Sequence, residues 1–250
     1  MPHDDNEDIP VLDDSMLDSS VEFEGGMVWF PPVTLALIVS FITVFVLEAQ
    51  TGALTKLERL VEMGALSRPL VEQGELWRLL SSEFLHGSSE HLIGNLLMFY
   101  ILGLACEHAY GSSRFIFLFV VVAVGGSTLS LLNNKTSVGA SGSIFGLAGL
   151  LIGLFGRYRS KLHVRDHRIG FVVGIWAVFT IVSAFRNPRI DNLAHVGGFV
   201  TGLIFGGSIA PALFFDRIEY RHSPVTILMS AVGSGALILM LIWFIPRLVG

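Results

Sequence analysis

Seven stretches of this chain, roughly 28–47, 91–107, 115–133, 141–157, 169–186, 193–213 and 225–245, are each apolar over about the 20 residues that a helix needs to cross a bilayer. In hydrocarbon no water satisfies a free peptide N–H or C=O, so each stretch must close its own hydrogen bonds, and an α-helix does this locally. The expected fold is therefore an all-α polytopic membrane protein. With 52% hydrophobic and 15% charged residues in 250, the chain is too apolar for an ordinary soluble domain.

Residues 1–26 differ in kind. They hold nine acids and no Lys or Arg, with few large apolar groups to offset chain ordering, so they read as an acidic, disordered tail. Their beginning lacks the basic residues of a secretory signal, and the first span is expected to stay in the mature chain. Residues 48–90, between the first two spans, mix Lys56, Arg59, Arg68 and Arg78 with several Glu and are expected to form an interfacial structure. Cys106 is the single cysteine, which excludes an internal disulfide. Basic nucleic-acid patches are absent, as are GxxxxGK[ST] and HExxH, and neither a metal nor another cofactor is expected.

The densest basic cluster, Arg157, Arg159, Lys161, Arg165 and Arg168, lies in the short loop after the fourth span, where positive charge marks the cytoplasmic side. Alternation then places the amino terminus in the cytoplasm and the carboxyl terminus outside, in what is expected to be a plasma (inner) membrane. His91 and Asn95 begin the second span, Ser141 the fourth and His195 the sixth, so all four fall near the outer face at similar depth. Polar groups inside membrane helices are costly and mark function.

Gly142, Gly146, Gly149 and Gly153 leave one flank of the fourth span without side chains, and Ala194, Gly198, Gly202 and Gly206 do the same in the sixth. Small residues at this spacing let helices approach closely. Where the stripes face one another, Ser141 meets His195 as nucleophile and base. Backbone N–H groups at the start of the fourth helix can receive an oxyanion, joined by the His91 ring and the Asn95 amide, which share a helix face. Taken singly, Ser141 also suits helix packing, and His91 and Asn95 also suit an interhelical hydrogen bond and its cap. Asp191 reads as a gate-loop surface residue or, where the sixth helix starts early enough, as a partner that orients His195. Trp77-Arg78 reads as an interfacial anchor whose guanidinium satisfies loop carbonyls or lipid phosphates.

Three motifs in order, "GELWRLLSSEFLHGSSEHLIGN", "GASGSIFG" and "AHVGGFVTG", resemble the rhomboid family of intramembrane serine proteases. The resemblance covers a six-helix core over residues 27–213, with residues 214–250 supplying a connecting loop and one further C-terminal transmembrane helix. It implies Ser141 as nucleophile, His195 as general base without a catalytic aspartate, and His91, Asn95 and the Ser141 amide as the oxyanion site. It also implies that Phe145 is an aromatic packed on the imidazole, and that the fifth span with the Arg186 to Asp191 loop forms a lateral gate and cap. Implied partners are single-span membrane protein substrates within the lipid bilayer. His86 is read as structural.

Two rival functions remain on the sequence: a catalytically silent relative that binds membrane clients, and a solute transporter with polar groups at broken helices. A soluble α/β-hydrolase is excluded, because Ser143 stands where the G-x-S-x-G elbow requires its last glycine. Asn134-Lys135-Thr136 fits a glycosylation acceptor, meaningful only in a eukaryotic secretory membrane.

Overall fold

The computed structural model describes residues 20–164, 175, 180, 190–215 and 217–249. Five helical segments among them are long and apolar enough to cross a membrane. They are α1 (Pro32–Thr51), α5 (Ser89–Ser130), α6 (Ser141–Tyr158), α7 (Asn192–Ser208) and α9 (Pro224–Val249). Short helices α2 (Leu57–Met63), α3 (Arg68–Glu72) and α4 (Arg78–Ser81) build the connection between α1 and α5, and α8 (Arg217–His222) precedes α9. The expected fifth span, 169–186, lies outside the described residues apart from Ile175 and Thr180.

The second and third spans share the single element α5, interrupted at Gly111, whose φ of 69° and ψ of 152° are not helical. The chain doubles back at this glycine. Asn95, 16 residues before it, and Gly126, 15 residues after it, lie respectively beside Gly139 and Gly142, at the level where α6 begins. A side chain at Gly111 would meet Tyr220 at 2.7 Å, so the corner needs glycine both for its dihedral and for space.

A buried carboxylate fastens α1 to this hairpin. Glu107 accepts from Val33 N–H at 3.0 Å, Thr34 N–H at 2.8 Å, Thr34 Oγ1 at 2.8 Å and Ser112 Oγ at 2.6 Å. The first two are orphan donors of the first turn of α1, which lacks a side-chain cap of its own. Thr34 packs so closely on Gly103 that a Cβ there would lie 2.6 Å from its methyl.

The glycine stripes face one another, and α6 against α7 is the most extensive helix contact among the described residues. A Cβ on Gly198 would stand 2.0 Å from the Gly142 carbonyl oxygen, one on Gly202 1.9 Å from that of Gly146, and one on Gly206 2.1 Å from that of Leu150. In the other direction, Gly149 and Gly153 receive the Phe199 and Leu203 carbonyls at 2.2 and 2.4 Å. Gly146 divides its contacts. Its carbonyl meets α7, while its Cα faces Val122 of α5, at 2.4 Å from the position of a Cβ.

Residues 20–26 depart from the expected disordered tail. Val21–Glu22 form a short strand, β1, paired in parallel with β2 (Leu162–His163), and Phe23 is buried against His108 and Phe155. The aromatic ring supplies the apolar burial that the acidic residues before it lack. This pairing also places the start of α1 and the basic loop after α6 on one face of the bilayer. Arg247, near the end of α9, lies over Trp77 at 4.7 Å, which puts the end of the last helix on the opposite face, with α2 to α4.

Candidate active site

Trp77 and Arg78 anchor the interfacial segment through its own backbone. Arg78 Nη1 donates to the Val61 and Ala65 carbonyls at 2.6 and 2.8 Å, and its Nε donates to Glu75 at 2.6 Å. Loop carbonyls, rather than lipid phosphates, thus satisfy the guanidinium, which is 3% exposed. The segment so held carries Glu83 and His86 to the mouth of the helix bundle.

Three start signals set the depth of the site residues. Ser88 caps α5 by accepting from His91 N–H at 3.2 Å, which fixes His91 in the first turn with Asn95 one turn below. Gly139 turns the chain into α6 with φ of +116°, and its N–H donates to Ser82 O at 2.9 Å. Asp191 caps α7 by accepting from Ala194 N–H at 3.2 Å. It also accepts from Asn133 Nδ2 at 2.7 Å and from Ser130 Oγ, which tie the head of α7 to the end of α5. Asp191 is therefore a capping and bridging residue, in place of the surface role that its loop position suggested.

These elements bring Ser141 Oγ to 2.9 Å from His195 Nε2. The Phe145 ring, one turn beyond Ser141, stacks on the imidazole with centroids 4.4 Å apart and planes inclined by 20°. His195 is 5% exposed, and its Nδ1 has no hydrogen-bond partner among the described residues. Among the described residues no carboxylate accepts from this Nδ1, and Asp191 instead accepts from Asn133, Ser130 and Ala194.

His91 and Asn95 lie against Gly139, just before the serine. A Cβ on Gly139 would be 2.7 Å from His91 Nε2 and 3.4 Å from Asn95 Nδ2. Of the N–H groups that open α6, that of Ser143 donates to Glu83 Oε2 at 3.4 Å, and those of Ser141 and Gly142 have no intrahelical acceptor, at the positive end of the helix dipole. A cavity of about 610 Å³ collects the four polar residues, with Lys135 and Asp191 also on its wall.

His86, read from the sequence as structural, holds Asn95 in place. Its Nε2 lies 3.0 Å from Asn95 Nδ2, which can donate only if that ring nitrogen is unprotonated. Burial, followed by the nearby His91, pushes the His86 pKa down to about 3, so the ring is neutral and accepts. Its own backbone N–H is received by the buried Glu48 carboxyl at 2.9 and 3.1 Å. Glu83 and Ser143 also belong to the site, with Ser143 Oγ 2.7 Å from Glu83 Oε2. Neither carried a signal in the sequence, since their partnership joins positions 60 residues apart.

The Rhomboid domain family matches residues 73–212, more than half of the chain. The chain belongs to the rhomboid family. It is 35% identical over 150 residues to RHOMBOID-like protein 5 of Arabidopsis thaliana, covering 58% of this chain and 48% of that protein. Rhomboid protease GluP of Bacillus subtilis is 34% identical over 188 residues, 75% of this chain and 36% of its own length. Rhomboid-like protease 1 of Toxoplasma gondii is 29% identical over 170 residues, 66% of this chain and 58% of its own. The chain thus spans about half or less of the first relatives it matches. As a rhomboid-family member with several apolar helices, it is an integral, multi-pass membrane protein.

Proposed function

We propose that this rhomboid-family chain is an intramembrane serine endopeptidase that cuts single-span membrane proteins with a Ser141–His195 dyad. The observation that carries the reading is the 2.9 Å approach of Ser141 Oγ to His195 Nε2, beneath a stacked aromatic and inside a polar cavity at the head of apolar helices. Serine hydroxyls are poor nucleophiles until a neighbouring base takes the proton. With its ring proton on Nδ1, His195 accepts the Ser141 proton at Nε2 as Oγ bonds to the substrate carbonyl carbon. The oxyanion that forms is received by the Ser141 N–H, His91 and Asn95. His195 then returns the proton to the departing amine as the peptide C–N bond breaks. Water, activated by the same imidazole, releases the acyl group and restores the serine.

A membrane helix hides its carbonyls in its own hydrogen bonds, so the substrate must unwind where it is cut. Helix-weakening residues reduce that cost, and small residues near the scissile bond ease entry. The basic loop after α6 and the amino terminus face the cytoplasm of a plasma membrane, and the cavity opens to the extracytoplasmic side.

The test is cleavage of a single-span substrate by purified protein in proteoliposomes. Ser141→Ala and His195→Ala each abolish cutting while retaining the wild-type melting behaviour. Undiminished cutting by either variant overturns the dyad.

A further inference from the structure

The short β1–β2 pair does more than bury Phe23, because its direction decides where the chain before it goes. Val21 pairs with Leu162 and Glu22 with His163, in parallel. In a parallel pair the residues that precede one strand run beside those that precede the other. Val21 N–H donates to the Lys161 carbonyl at 2.8 Å, and Phe23 N–H donates to the His163 carbonyl at 2.8 Å. Phe23, 5% exposed, is held between His108 and Phe155, and His108 Nε2 lies 2.6 Å from its carbonyl oxygen. The chain before Val21 is thereby delivered to the end of α6, on the side of Lys161, Arg159 and Arg157. An antiparallel pair would have sent it the other way.

Those three cations are exposed, and none has an ion-pair partner among the described residues. Residues 1–19, outside the described residues, carry seven acids between Asp4 and Asp18 and neither Lys nor Arg. Asp18 precedes Val21 by three residues and Arg159 precedes Leu162 by three, so each is tethered within about 10 Å of the paired strands. That distance is comparable with the Debye length of about 8 Å at physiological salt, so the opposite charges attract across it. We propose that residues 1–19 dock on the basic surface of Arg157, Arg159 and Lys161, as an intramolecular counter-charge that keeps anionic lipid headgroups off that surface. A basic surface beside a membrane otherwise recruits such headgroups. The tether favours the tail over them, since a segment joined to its site by a few residues is present there at high effective concentration. The docked tail lies at the opposite end of α6 from Ser141, and its test needs no measurement of cleavage.

The experiment is carbodiimide cross-linking of the full chain in phosphatidylcholine vesicles, which joins a carboxylate to an amine in contact with it. The chain has three lysines. Lys56 and Lys135 lie on the opposite face, in the α1–α2 and α5–α6 connections, which leaves Lys161 to report on the basic surface. Amides from acids of residues 4–18 to Lys161 are expected as the main product, formed within one chain when light and heavy isotope-labelled copies are mixed. Their yield is expected to fall at least about three-fold in about 1 M salt, where the Debye length is about 3 Å, and as much in the Arg157→Ala, Arg159→Ala double variant. A second arm attaches a dye to Ser160→Cys, since Cys106 is buried and stays unlabelled. Quencher-bearing phosphatidylglycerol in the vesicles is expected to quench the full chain no more than quencher-bearing phosphatidylcholine does. Deleting residues 2–19 raises quenching by phosphatidylglycerol at least about three-fold and leaves that by phosphatidylcholine unchanged. Absence of the Lys161 amides, a yield indifferent to salt and to the arginine variant, or amides joining light to heavy chains overturns the proposal. Equal quenching by phosphatidylglycerol with and without the tail also overturns it, and where that quenching is high it identifies the lipid headgroup as the occupant.

Discussion

Substituting Gly198 by Ala tests whether the contact between α6 and α7 sets the geometry of the site. The new Cβ would stand 2.0 Å from the Gly142 carbonyl oxygen, whereas ordinary contact begins near 3.4 Å. The obstacle is helix backbone rather than the end of a flexible side chain, so the two helices must part locally by about 1.4 Å. Gly198 follows His195 by three residues and Gly142 follows Ser141 by one, so the separation falls on the dyad itself. It stretches the 2.9 Å approach beyond hydrogen-bonding distance. Overpacking of this size costs about 1–3 kcal/mol of stability. The loss of activity is larger in proportion, since a misplacement of about 1 Å at reacting groups can lower kcat by about 100-fold. Gly207→Ala is the control, because its Cβ would meet the Gly153 carbonyl at an ordinary 3.8 Å. Cleavage in proteoliposomes and thermal unfolding in detergent, measured on both variants, separate the two effects. Gly198→Ala with kcat within three-fold of wild type would refute the reasoning, as would an equal loss in Gly207→Ala.

Two further outcomes concern stability. Asp191→Ala removes the α7 cap and the links to Ser130 and Asn133, and is expected to cost about 1–2 kcal/mol in thermal or denaturant unfolding. Asp191→Asn keeps an acceptor for Ala194 N–H and loses less than half as much. In pH-dependent unfolding, the depressed His86 pKa contributes stability that is complete above about 6.5 and is lost as pH falls toward about 3, with a limiting slope of about 1.4 kcal/mol per pH unit. The raised Glu83 pKa works in the opposite sense. Its contribution is complete below about 4.5 and fades as pH rises through about 8. His86→Gln flattens the acid side and leaves the alkaline side unchanged. A wild-type acid slope that persists in His86→Gln contradicts the neutral, accepting role given to this ring.

What the sequence made legible was periodic or local. Apolar run lengths located the spans that fall within the described residues, and glycines at helical spacing located the flanks by which α6 and α7 meet, because an absent side chain leaves a mark at a fixed interval. Ser141, His195, His91 and Asn95 stood out as polar groups in expensive surroundings. The structure brings Ser141 onto His195 and sets His91 and Asn95 beside the preceding turn. Partnerships across long separations left no such mark. Nothing near Glu83 announced Ser143, and nothing near Asp191 announced Ser130 and Asn133, since each pair meets only after the bundle has assembled. His86 was read as structural, but its partners were not legible for a related reason. Glu48, which accepts its backbone N–H, and Asn95, which meets its ring, come from other helices. The strand at Val21–Glu22 was hidden by the acids around it, because it forms only against residues 141 positions away.

The central claim is that Ser141 is a serine made nucleophilic by His195 within the membrane. Labelling with a fluorophosphonate reagent, followed by mass mapping of the modified peptide, tests it most directly. The adduct is expected on Ser141 in wild type, absent from Ser141→Ala and strongly slowed in His195→Ala. A cleavage-competent preparation that takes no label, or takes it on another serine, contradicts the claim.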